Sequence, residues 1–151
     1  GSLDKAMVAL LLTLPSEAYL SEIADVVDVE GIHTARQSVR LQLAAALKDD
    51  FIGIYESYDH NIPYSPKSDA VAARSLCNVA LAYLVALGQD SMLEKTYQQC
   101  QTSNNMTDVM AALIALVNSG AESADSLRRK ALDAYYQKWQ KVQKNFSMLT
   151  L

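Results

Sequence analysis

The sequence predicts an all-α fold, about seven helices in antiparallel pairs laid out as a superhelical array. Three observations lead there. Apolar residues recur at helical spacing along most of the chain, with cap residues ahead of each run. No apolar/polar alternation bounded by turn residues occurs anywhere, so no strand is predicted. Five Gly and three Pro in 151 residues, half of them hydrophobic and 20% charged, fit a helical protein large enough to bury a real core.

Leu3 to Leu14 reads as a first helix, stopped by Pro15, which disfavours helical geometry at the residue before it. It is so apolar that Met7 to Leu12 are expected to be covered on most sides. Ser16-Glu17 starts a second short helix with Leu20, Ile23, Ala24 and Val27 on one face. Asp28 is a cap for a third, in which Ile32, Ala35, Val39, Leu43, Leu47, Phe51, Ile54 and Tyr58 form one continuous stripe. Such a helix would span roughly 40 Å. Arg36 and Arg40 share a face of it. Ion pairing with Glu22, Asp25 or Glu30 is the structural expectation, and a substrate-carboxylate site the functional one.

Asn61 to Pro66 is the clearest break, with Ser65 as N-cap and Pro66 as first-turn proline of a fourth helix. Leu76, Val79, Ala80, Tyr83, Leu84 and Leu87 are its inner face, and Gly88 its C-cap. A fifth helix covers about Asp90 to Gln101, burying Met92, Leu93, Tyr97 and Cys100. Asn105 caps a sixth, with Asp108 in its first turn and Met106, Met110, Leu113, Ile114 and Val117 inward. Ser123 caps the seventh, whose face is Leu127, Ala131, Leu132, Tyr135 and Trp139; beyond about Lys141 the pattern dissolves. No exact repeat is present, but seven helices of unequal length fit an armadillo/HEAT-like array better than one four-helix core.

Gly1-Ser2 reads as a scar of tag removal, leaving residues 3–151 as a single helical domain, expected to be a fragment of a larger C-terminal one. Apolar runs such as Val8 to Leu12 fall short of the roughly 20 residues of a membrane span, and no secretory signal is seen, so no membrane partner is expected. Cys77 and Cys100 lie in no CxxC pattern; reduced, partly buried thiols and a cytoplasmic location are the expectation. Residues 1–127 hold seven Lys/Arg against sixteen Asp/Glu, a net of −9, whereas 128–151 hold six against one. An acidic body repels phosphate backbones, so nucleic acid is not an expected partner. The basic tail reads as a solvated face or an internal partner of that body.

Catalytic chemistry is missing. Zinc hydrolysis needs clustered ligands, and His33 and His60 are 27 residues apart with no HExxH, so no metal-ligating residue is assigned and the histidines should be satisfied or solvated. Neither cysteine has a neighbour that would activate it, no GxSxG or phosphate-cradling loop occurs, and no catalytic residue or cofactor is assigned. Tyr55, Tyr58 and Tyr64 cluster near a loop, as aromatic packing or as a recognition surface.

Three stretches in order, Leu14-Pro15-Ser16-Glu17, Arg74 to Leu84, and Asn104-Asn105-Met106-Thr107-Asp108 followed by Ala111-Ala112-Leu113, resemble the C-terminal helical domain of the bacterial-type aminopeptidase N family. The likeness runs from about Leu3 to Trp139. It implies a non-catalytic piece of a larger zinc exopeptidase that removes N-terminal residues from peptides. The HExxH domain lies elsewhere in the polypeptide, and the helical domain is a curved cover shaping the substrate chamber. The zinc belongs to that parent, and the implied partners are its catalytic domain and peptide substrates. Asn104, Asn105, Asp108 and Arg74 are the candidate chamber contacts, although Asn105 and Asp108 also read as a plain helix start. After Trp139 the chain departs from the family's Asp-Lys-Trp-Phe and Gln-Ala pattern, so its last dozen residues read as divergent or truncated. A freestanding helical-repeat adaptor that binds a peptide in a concave groove is the alternative.

Overall fold

The structure, a computed structural model, describes residues 4–60 and 62–148, with 140–148 by backbone alone. Eight helices and no strand occur among the described residues: α1 Lys5–Leu11, α2 Glu17–Ile23, α3 Val29–Ala46, α4 Lys48–Ser57, α5 Ser68–Ala86, α6 Asp90–Thr102, α7 Met106–Val117 and α8 Ala124–Met148. Gly1, Ser2, Leu3 and the side chains of the final dozen residues, on which the scar and divergence expectations fall, lie outside that description.

The caps explain most of the boundaries. Asp4, Ser16, Asp28 and Asn105 each accept a backbone N–H from the first turn they precede. Ser65 does not cap α5. Its Oγ accepts from the Lys67 N–H at 3.3 Å, a short local turn, and the helix starts only at Ser68. Gly88 ends α5 with φ +66°, the left-handed geometry glycine supplies at a helix end.

α5 is the central helix, packed against α1, α3, α4, α6 and α7. It buries Leu76, Cys77, Ala80, Leu81, Tyr83, Leu84 and Val85. By length and composition alone it could cross a membrane. Its position as the shared wall of five neighbours accounts for that composition. α6 and α7 turn back on each other, and α8 closes against both.

Several sequence expectations are corrected by packing. The long third helix is two, broken at Leu47 (φ −110°, ψ 21°). No Gly or Pro marks the break; it redirects α4 so that Phe51 stacks on Tyr83, centroids 4.7 Å apart and rings within 3° of parallel. α1 and α2 are covered on one side only, leaving Leu10, Leu11 and Ile23 between 62% and 72% exposed. Val27, expected on the α2 face, lies beyond the end of that helix and is exposed. α7 is rotated from the expected face: Met106, Ile114 and Val117 point outward, while Asp108, Val109, Ala112, Leu113 and Leu116 are buried. The buried carboxylate of Asp108 sets that rotation through the bonds described below. On α8, Ala131 is buried but Leu132 is exposed, and the backbone continues helical to Met148, past Lys141.

Candidate functional site

The Asn104–Asp108 stretch lies at the start of α7, where α4, α5 and α6 converge on it through polar side chains. Asn105 accepts the Asp108 N–H at 2.9 Å and returns its own amide to Asp108 Oδ2 at 2.8 Å. Asn78 on α5 donates to Asp108 Oδ1, also at 2.8 Å. Gln99 on α6 donates both to the Asp108 carbonyl and to Asn78 Oδ1, each at 3.2 Å, and accepts from the Tyr55 hydroxyl of α4 at 3.0 Å. Four helices are thus joined in one network around Asp108, each of whose carboxylate oxygens has an amide donor.

Asn104 and Arg74 act on the connection between α4 and α5. Asn104, exposed, donates to the Ile62 carbonyl at 2.7 Å. Arg74, 5% exposed, donates to the Ser65 carbonyl at 3.0 Å and sits 4.8 Å from the Tyr64 ring centroid. The four residues singled out from sequence are therefore each engaged in internal bonds, Asn104 and Arg74 at the α4–α5 connection and Asn105 and Asp108 at the start of α7. Asn78, Gln99 and Tyr55, which complete the network, escape a sequence reading. The available sign was a polar residue interrupting an apolar helical face, as Asn78 does between Leu76 and Val79.

Beside the network a groove of about 590 Å³ opens between α4 and α6, lined by Tyr55, Tyr58, His60, Glu94 and Gln98 among others. His60 packs against Tyr55 and Tyr58, with ring centroids 4.7 and 5.0 Å away, and neither of its buried ring nitrogens has a hydrogen-bond partner among the described residues. The expectation of a satisfied or solvated histidine therefore fails for His60. It holds for His33, whose Nδ1 is 2.8 Å from Glu17 Oε1. Tyr64 belongs with Arg74 rather than with this aromatic group.

Neither cysteine is activated, and no metal cradle forms among the described residues. Burial, reinforced by Asp108, pushes the Cys77 thiol up to about 12, so it stays protonated at neutral pH. Burial likewise raises Cys100, with Lys138 opposing. Both thiols are free and buried. Among the described residues no three His, Cys, Asp or Glu side chains come together in a way that could hold a metal ion. The described residues therefore offer no set of ligands that fits zinc. The expected pairing of Arg36 and Arg40 with nearby acids is also not formed among the described residues. Both guanidiniums donate instead to backbone carbonyls, those of Pro15 and Ala82.

A family described as "Domain of unknown function (DUF3458_C) ARM repeats" matches residues 1–146. The chain belongs to that family. Its relatives place it among the C-terminal helical domains of aminopeptidase N-like proteins. It is 37% identical over 140 residues to aminopeptidase N of Haemophilus influenzae, a match covering 91% of this chain and 15% of that protein. Aminopeptidase N of Escherichia coli is 32% identical over 136 residues, covering 89% of this chain and again 15% of the relative. A crystal structure of Legionella pneumophila aminopeptidase A in complex with aspartic acid is similar with a TM-score of 0.72 and 32% identity, over 93% of this chain and 17% of that one. The chain thus spans about one sixth of the proteins it matches. The ARM-repeat description agrees with the superhelical array of helix pairs.

Proposed function

We propose that this chain is a piece of the non-catalytic helical cover of a zinc aminopeptidase that removes N-terminal residues from peptides. In this reading it belongs to a larger C-terminal domain, rests on the catalytic domain of the same polypeptide, and limits access to the substrate chamber. The supporting observation is the disproportion of the matches: nearly all of this chain aligns with a small fraction of each aminopeptidase. Zinc and general base belong to the rest of the parent, which works in the cytoplasm without nucleic-acid or membrane partners.

Asn104, Asn105, Asp108 and Arg74 contribute to the chamber by position rather than by direct chemistry. Their polar atoms are engaged in holding the α4–α5 connection and the start of α7, so what they present to a peptide is the shape of that connection.

The purified chain supplied with zinc is expected to release no amino acid from aminoacyl-anilide substrates. Turnover that co-purifies with the chain and is abolished by a chelator would refute the non-catalytic reading.

A further inference from the structure

Arg36 and Arg40 stand one turn apart on α3, both half-buried. Arg36 Nε donates to the Pro15 carbonyl at 2.7 Å, and Arg40 Nη2 to the Ala82 carbonyl at 2.9 Å. A guanidinium carries five N–H donors, so each retains unused ones. Neither forms an ion pair among the described residues. Burial first, then the like charge of Arg36, holds the Arg40 guanidinium below its ordinary range, with Tyr83 acting the other way. Two partly desolvated like charges without a counter-ion are an unfavourable arrangement, and an anion between them would relieve it.

The surroundings define that anion. Both guanidiniums line a pocket of about 170 Å³ between the end of α1 and α5, whose other walls include Leu12, Leu14, Val79 and Tyr83. Arg36 also borders a second groove of about 410 Å³, between α2 and α3, lined by Leu20, Ile32 and Val39. A phosphate would leave its further charged oxygens against the apolar walls. A planar carboxylate matches the guanidinium fork and leaves an apolar remainder to lie in the groove beside Arg36, against Leu20, Ile32 and Val39.

We propose that Arg36 and Arg40 bind a carboxylate carried on an apolar body, with the acid group between the guanidiniums and the apolar part along the α2–α3 groove. The carboxylate comes either from a free short-chain acid or from an acidic side chain of the polypeptide outside this chain. The site is separate from the Asp108 network and does not rest on the proposed cover role.

Titration of hexanoate into the chain, followed by backbone amide NMR shifts, tests the assignment, with hexanamide as the neutral isostere. Saturable binding is expected at Arg36, Arg40 and the α1–α2 connection, with a Kd on the order of 1 mM and at least about tenfold tighter than hexanamide. Arg36→Gln, which removes one backbone-directed donor and one charge, is expected to weaken hexanoate about tenfold while leaving the circular dichroism spectrum unchanged. Arg40→Lys keeps the charge, loses the fork, and should weaken it severalfold. Equal binding of hexanoate and hexanamide, indifference to Arg36→Gln in a folded variant, or inorganic phosphate competing as well as hexanoate would each overturn the proposal. In the longer polypeptide, retained hexanoate binding identifies a free ligand. Loss of binding there, with the chain alone still binding, identifies an internal acidic side chain.

Discussion

Replacing Asp108 by Ala should be among the more damaging single changes in this molecule, and its size follows from the bonds it removes. Two amide-to-carboxylate bonds disappear, from Asn78 and from Asn105, each 2.8 Å long. Bonds to a charged acceptor contribute roughly 1.5–3 kcal/mol each, and the partly buried Asn78 amide is left without its acceptor. Asp108 is itself only 3% exposed, so the cost of burying the carboxylate offsets part of that gain. A net loss of about 3 kcal/mol is expected, a large share of the roughly 5–15 kcal/mol that holds a domain together. For a chain of this size that lowers Tm by about 6–12 °C. Urea unfolding followed by far-ultraviolet circular dichroism measures it directly. Asn105→Ala, which removes the N-cap and one of the two bonds, should cost less, about 1–2 kcal/mol. A double-mutant cycle between Asn78→Ala and Asp108→Ala should show a coupling energy of at least about 0.5 kcal/mol. An Asp108→Ala loss below about 1 kcal/mol, or additivity in the cycle, would refute the view that this carboxylate joins the helices.

Two further outcomes are open to simple measurement. Stability should fall on the alkaline side. Cys77 and Tyr55 are both raised by burial to about 12 from ordinary values of 9.0 and 10.0, so their contribution is complete below pH 9 and lost as pH rises toward 12. Chemical denaturation across that range checks it, and a flat profile contradicts the burial of both groups. Gly88→Ala should cost about 1–2 kcal/mol, because an L-residue at φ +66° is strained and the added Cβ would lie 3.1 Å from Ala121 Cβ; an unchanged urea midpoint would show that α5 ends differently.

Much of the fold was legible because local chemistry decides it. Asp28 and Asn105 cap the helices they precede, and Gly88 takes the one left-handed conformation among the described residues, whereas α1, expected to run to Leu14 and stop at Pro15, already ends at Leu11. The misreadings share a cause: periodicity records which residues are apolar, not which neighbour arrives. Leu47 looks like one more step of a stripe, and only in the fold is it seen that the chain turns there and that Phe51 beyond the turn stacks on Tyr83. Met106 and Ile114 look inward until Asp108 is seen to be buried, because a carboxylate in the core fixes the rotation of α7. The site was half legible. Asn104 to Asp108 stood out as an unusual polar run, whereas Asn78 and Gln99 acquire meaning only when α5 and α6 bring them together. The family resemblance stood on ordered motifs and agreed with the later matches; the shared face of Arg36 and Arg40 was legible from their spacing, but not that they form no ion pair among the described residues.

The side-chain bonds that tie separate elements together often end on backbone carbonyls. Arg36 meets Pro15, Arg40 Ala82, Arg74 Ser65, Tyr83 Leu12, Asn104 Ile62, and Arg128 both Leu116 and Ser119. A carbonyl is present whatever side chain the position bears. The receiving positions are therefore free to change identity so long as the backbone keeps its path, whereas each donor is tied to its own chemistry. Tolerance to substitution across this molecule should accordingly be lopsided: in a saturation scan, Ile62 and Ser65 should accept many replacements, and Arg74 and Asn104, which grip them, few.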